Sequence, residues 1–121
     1  SRMFELTDKL VLKEYLSAKL YYNLGDYFGN CTNGGSNFEA CIVTSENALK
    51  TYPFTTMREQ FAVLIMKSKY ELARQSVEEK KIERYRDAED ECYGFINEYP
   101  ESVERKTAER YIKKCKEITK D

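Results

Sequence analysis

The sequence predicts an all-α domain of about five helices folded as antiparallel hairpins, and three observations predict it. Breakers are scarce, with 5 Gly and 2 Pro in 121 residues; abundant Glu, Lys, Leu and Ala favour long helices over sheets. Apolar residues recur at three- and four-residue spacing through most of the chain. Two Tyr-Pro steps, Tyr52-Pro53 and Tyr99-Pro100, lie 47 residues apart and close two of these stretches at corresponding points.

The first helix is expected from about Asp8 to Phe28, with Thr7 as its N-cap. Leu16, Leu20, Leu24 and Phe28 form one stripe, and Val11, Tyr15, Ala18 and Tyr22 a second. Two stripes imply neighbours on more than one side, as for an interior helix of an array. Gly29 to Asn37 reads as a flexible loop. It leads into Ser36-x-x-Glu39, a capping box in which serine and glutamate satisfy each other's backbone donors.

The second helix is expected from Phe38 to Thr51, burying Phe38, Cys41, Ile42, Ser45, Ala48 and Leu49, and Tyr52-Pro53 stops it. Thr56-x-x-Glu59 offers another capping box for a third helix, from about Met57 to Val77. Its stripes hold Phe61, Leu64, Ile65, Ser68, Leu72 and Ser76, with Ala62, Met66, Lys69 and Ala73 on the next face. Glu78 to Lys81 reads as a solvated charged corner, the alternative being a continuation of the helix. A fourth helix over about Ile82 to Glu98 buries Tyr85, Ala88, Cys92, Phe95 and Ile96. The last, from about Val103 to Thr119, has one narrow stripe of Val103, Ala108, Tyr111, Ile112, Cys115 and Ile118. A one-sided final helix suits an array that ends in water.

Twelve residues before each helix-ending proline stands a small residue, Cys41 or Ala88, and Leu24-Gly25 and Leu72-Ala73 hold equivalent places in the preceding helices. Small residues where paired helices touch, with proline ending the second helix, is tetratricopeptide spacing. The expected architecture is therefore a right-handed superhelical array of tetratricopeptide-like hairpins in a single domain. Repeat one covers about residues 8–53, repeat two about 56–100, and a capping helix about 103–119.

Composition narrows the function. Lys plus Arg total 20 against 21 acidic residues, so no single-sign field points to nucleic acid or anionic lipid. The ten tyrosines sit at helix-core spacing without a basic groove. No run of the sequence is long and apolar enough for a membrane span. With no His, no Cys–His pair or Cys–His metal set can form. The four cysteines lack CxxC spacing; Cys41, Cys92 and Cys115 read as small core residues, the alternative being a disulfide that includes Cys31. Glu89, Asp90 and Glu91 point to different sides of a helix, and no glycine loop of the phosphate-binding type occurs. The reading is a non-enzyme that takes no cofactor and no metal and binds protein.

Three stretches carry a family resemblance: Leu10 to Tyr27 (LVLKEYLSAKLYYNLGDY), Ala48 to Thr55 (ALKTYPFT) and Arg84 to Ser102 (RYRDAEDECYGFINEYPES). Together they resemble the last two repeats of Bacteroidetes-type members of the BamD family of outer-membrane protein assembly lipoproteins. The resemblance spans about Asp8 to Ile118. It implies a periplasmic protein held at the outer membrane by an upstream lipid anchor. It also implies partners: the periplasmic POTRA domains of a BamA-like barrel and other lipoproteins of the assembly machine. The alternative is another periplasmic tetratricopeptide adaptor, for cell-envelope coordination or peptide binding. Partner-binding candidates are Lys19, Tyr22, Asn23 and Asp26 on the first helix, and Thr44, Asn47 and Lys50 on the second. Core packing competes for Tyr22, and plain solvation for the others. With upstream repeats missing, the resemblance further implies self-association through Val11, Tyr15 and Ala18. The loop insertion from Cys31 to Asn37 and the polar Thr44, Ser45 and Asn47 depart from the family pattern as enterobacterial members show it.

Overall fold

Where apolar spacing is densest the chain is helical. The computed structural model describes residues 2–24, 36–75 and 78–119, in which five helices and their turns, and no strand, account for the backbone. They are α1 (Arg2–Leu24), α2 (Ser36–Thr51), α3 (Arg58–Gln75), α4 (Glu78–Glu98) and α5 (Arg105–Thr119). The all-α hairpin class is therefore realised: α1 packs on α2, and α4 on α5. The chain divides into two compact units, Ser1–Ile65 and Met66–Asp121, and the division falls within α3.

In the first unit, Val11 of α1, Ala48 of α2 and Phe61 of α3 form one buried cluster, with Tyr15, Leu49, Tyr52 and Met57 around it. One step along, Ala18, Cys41 and Leu64 form a second, flanked by Tyr15 and Tyr22. The small residues Ala18, Cys41 and Ala48 sit on the seam between α1 and α2 and let the backbones approach. Aromatic rings fill what remains: Tyr15 meets Phe61 edge-on at 5.8 Å, and Tyr22 meets Phe38 edge-on at 5.7 Å.

The second unit repeats the scheme. Ala73, Tyr85, Ala88 and Cys115 are fully or almost fully buried together, with Tyr70 packed against them. Tyr70 meets Tyr85 edge-on at 6.0 Å and stacks on Tyr111 at 4.0 Å with the planes 7° apart. Lys69 is held between Glu91 at 2.8 Å and Asp87 at 3.5 Å, which joins α3 to α4 by charge as well as by packing.

The turns after α2 and α4 share four hydrogen bonds at corresponding positions. Tyr52 N–H donates to Ala48 O at 2.8 Å, and Tyr99 N–H to Phe95 O at 2.8 Å. Thr55 and Ser102 N–H donate to the Tyr52 and Tyr99 carbonyls, both at 3.1 Å. Thr55 Oγ1 then accepts from Met57 N–H, and Ser102 Oγ from Glu104 N–H, each at 3.1 Å. Arg58 Nη1 reaches back to Pro53 O at 2.7 Å, and Arg105 Nη1 to Pro100 O at 3.2 Å. The proline stops the helix, the hydroxyl caps the next one, and the arginine ties off the carbonyl left open by the turn.

Several expectations need correction. α1 begins at Arg2, so Thr7 lies inside the helix and cannot cap it; the residues before it are themselves good helix formers. The Ser36 side chain of the expected capping box lies outside the described side chains; next to it, Asn37 donates its side-chain amide to Leu24 O at 3.0 Å. The cap of α3 is Thr55, one residue before the expected Thr56. Of the two readings of Glu78 to Lys81, the helical one holds: these largely exposed residues are the first turn of α4, where Glu78 and Glu79 complement the helix dipole. On α5, Val103 stands almost fully exposed in the turn and Ile118 is exposed, while Thr119 takes the buried place. Phe28, Cys31 and Ser76 lie outside the described residues.

The two stripes of α1 also part company. Val11 and Ala18 are buried and Tyr15 packs on Phe61, so none of the three is available for self-association. The exposed stripe is the other one: Leu16 keeps 55% and Leu20 57% of their surface, beside an exposed Leu12.

Candidate functional site

A docking surface on such a scaffold is built from what each helix leaves over after packing inward. On α2 the inward face is Phe38, Cys41, Ser45 and Ala48. One hundred degrees per residue then turns Glu39, Val43, Asn47 and Lys50 outward, and all four are exposed. Two of the predicted residues, Asn47 and Lys50, thus share one face. The third, Thr44, is half-buried on its flank. The centre of that face is Val43, which exposes 54% of its surface and was missed by sequence reasoning. A β-branched residue about two turns from either helix end looks like core until the inward face is fixed.

On α1 the predicted residues separate. Tyr22 belongs to the core, packed beside Ala18, Cys41 and Leu64 with its ring against Phe38. Lys19 and Asn23 are exposed on the next turn-flank of the helix, beside the leucine stripe. Asp26 lies outside the described residues. The leucine stripe lines a shallow hollow of about 430 Å³ with Lys9, Lys13 and Ser17.

Phe54 is the most exposed large apolar side chain of the described residues, at 96%. Its turn makes the same hydrogen bonds as the turn around Glu101, so the fold does not require an aromatic there.

The titratable groups of the interior are structural. Cys92 and Cys115 are buried free thiols, and burial pushes both up to about 12; neighbouring acidic groups and, for Cys92, the Cys115 thiol add to the rise. A nucleophilic cysteine needs the opposite shift. Burial likewise raises the Tyr70 and Tyr85 phenols, with Cys115 and Glu71 contributing. Cys41 is a third buried free thiol, in the seam of the first unit. No helix of the described residues is long and apolar enough to cross a membrane. Set against protein-family models and curated proteins, the chain matches none.

Proposed function

We propose that the chain is a non-catalytic protein-interaction scaffold, the counterpart of the C-terminal repeats of a BamD-like lipoprotein, acting at the periplasmic face of the outer membrane. In this reading it docks to the POTRA domains of a BamA-type barrel during β-barrel protein assembly. Other lipoproteins of the machine share the scaffold, and a lipid anchor upstream of this sequence tethers it.

The observation that carries the reading is the outer face of α2, where exposed Val43 stands among Glu39, Asn47 and Lys50. An apolar centre with a mixed-charge rim is the anatomy of a reversible protein interface. This is also the helix on which the resemblance sets its docking residues. The three quoted stretches supply the family, and the helix-hairpin fold is compatible with it.

Titration calorimetry of the full chain against the POTRA domains of the BamA-type barrel from the same organism tests it. Binding that Val43→Glu abolishes and Lys50→Glu weakens is the expected result. Absence of binding by a chain shown to be helical by circular dichroism overturns the assignment and leaves the adaptor reading.

A further inference from the structure

Charge balances over the whole chain but not along α1. Between Lys9 and Leu24 the only acid is Glu14, half-buried on the flank, while Lys9, Lys13 and Lys19 are exposed. The same stretch carries Leu10, Leu12, Leu16, Leu20 and Tyr21, five of the eleven large apolar side chains exposed among the described residues. Lys9 and Lys13 line one shallow hollow with Leu12, Leu16, Ser17 and Leu20. At 100° per residue this face lies opposite the side on which Val11 and Ala18 pack. A flat surface can therefore meet it along about 22 Å of helix.

The face is not built like those on which helices pack in this chain. α1 follows the register of α3 at 48 residues: Tyr22 meets Phe38 edge-on as Tyr70 meets Tyr85, and Ala18 and Met66 are both fully buried. From α3 to α5 the offset is 47, as the two turns show. Where α3 and α5 bury Phe61 and Ala108, α1 has Lys13; where they bury the small Ser68 and Cys115, it has Leu20. A helix seated there in the same way would take the Lys13 ammonium out of water. A second copy of the face would bring three more lysines and no exposed acid.

We propose that this face of α1 lies on an anionic phospholipid surface, in the plane of the headgroups. Leu12, Leu16 and Leu20 enter the acyl boundary, and the stems of Lys9, Lys13 and Lys19 carry their ammonium groups back to the phosphates. Leucines alone would suit any apolar partner; three lysines without an exposed acid select a negative one. So short a face binds reversibly, and its charge makes the binding depend on salt. It is distinct from the α2 face proposed for docking and stands whether or not that docking occurs.

Co-sedimentation of the full chain with vesicles tests it, using phosphatidylglycerol and phosphatidylcholine in equal parts against phosphatidylcholine alone. The chain pellets with the mixed vesicles and stays in solution with the neutral ones. Raising salt from about 0.1 M to 1 M, which shortens the screening length from about 10 Å to 3 Å, releases it. Lys9→Gln, Lys13→Gln and Lys19→Gln each weaken partitioning about fivefold, and Leu16→Gln about tenfold, without loss of helix by circular dichroism. Val43→Gln leaves it unchanged. The chain contains no tryptophan, so Leu16→Trp and Val43→Trp each supply a single reporter. Emission moves to the blue on mixed vesicles for the first and stays for the second. A folded chain that ignores the mixed vesicles overturns the proposal and leaves the face to an acidic protein. Equal binding to neutral vesicles overturns it as well, as does an equal shift at Val43→Trp.

Discussion

The first unit, built on α1, α2 and the start of α3, and the second, built on the end of α3, α4 and α5, share one turn but not one core. The turns match in every hydrogen bond described above, including the capping hydroxyls Thr55 and Ser102 and the returning arginines Arg58 and Arg105. The cores diverge. Where the first unit has Phe61, Leu64 and Ser45, the second has Ala108, Tyr111 and Cys92, all of them buried. The first closes its seam with Tyr15 against Phe61. The second stacks Tyr70 on Tyr111, encloses two thiols and adds the Lys69 ion pairs. Backbone donors must be satisfied in one of a few ways, so the turn is copied. Volume can be filled in many ways, so the core drifts.

The largest break in the comparison should come at Phe61, the fully buried ring for which the second unit has only Ala108. Phe61→Ala should cost about 3–5 kcal/mol in urea denaturation, because lost transfer energy and an unfilled cavity add. A loss under about 1 kcal/mol would mean that the first unit closes around the gap.

Alkaline pH should single out the second unit's thiols. Cys92 and Cys115 titrate near 12 in the fold against an ordinary value of 9.0. Above pH 9 the unfolded chain sheds these protons while the folded chain keeps them, so ν_U − ν_N is negative and stability falls as pH rises. The contribution is fully present below pH 9 and is lost between 9 and 12. By pH 10 the loss should be about 1.4 kcal/mol per thiol, with Tyr70 and Tyr85 adding in the same direction. Denaturation midpoints at pH 8 and pH 10 measure it, and Cys92→Ala with Cys115→Ala should flatten the slope. An equal slope in that double variant would assign the effect to other groups.

Much of this was legible in the sequence. The five helices, the Tyr-Pro register and most inward residues follow from spacing, because α2, α4 and α5 each have one dominant apolar side and both apolar faces of α3 are buried. α1 did not yield its inward side, since Val11-Tyr15-Ala18-Tyr22 and Leu12-Leu16-Leu20 are equally apolar and only the partner helix decides between them. The cap of α3 was misplaced because Thr55 and Thr56 are adjacent hydroxyls. The signal was present: 47 residues on, only Thr55 aligns with a hydroxyl, Ser102, while Thr56 aligns with Val103. Of the seven binding candidates, Lys19, Asn23, Asn47 and Lys50 are on the surface, whereas Tyr22 went to the core because a ring on a helix seam is buried by its neighbours.

That alignment gives a matched pair. Thr55→Ala and Ser102→Ala should each cost about 1 kcal/mol, the ordinary value of an N-cap. Thermal melts of the two variants should agree within a few tenths of a kcal/mol, and a twofold difference would mean that the turns are alike in geometry but not in energy. In the opposite direction, Ser45 places a buried hydroxyl, without a hydrogen-bond partner among the described residues, where the second unit places Cys92. Ser45→Cys should raise stability by about 0.5–1 kcal/mol by removing an unmet polar group at nearly constant volume. A loss would show that the hydroxyl finds a partner in solution.

The smallest expected effect lies at Phe54, and its smallness is the point. The residue sits between Pro53 and the capping Thr55 in a turn whose bonds are repeated around Glu101. Since a carboxylate serves at the equivalent position, the ring contributes nothing that the turn needs, and it is 96% exposed. Phe54→Glu should therefore leave stability within about 0.5 kcal/mol of the parent by urea denaturation, as surface changes away from caps and cores do. If it instead destabilises by more than about 1 kcal/mol, the ring rests on the protein in solution and the two turns are not equivalent.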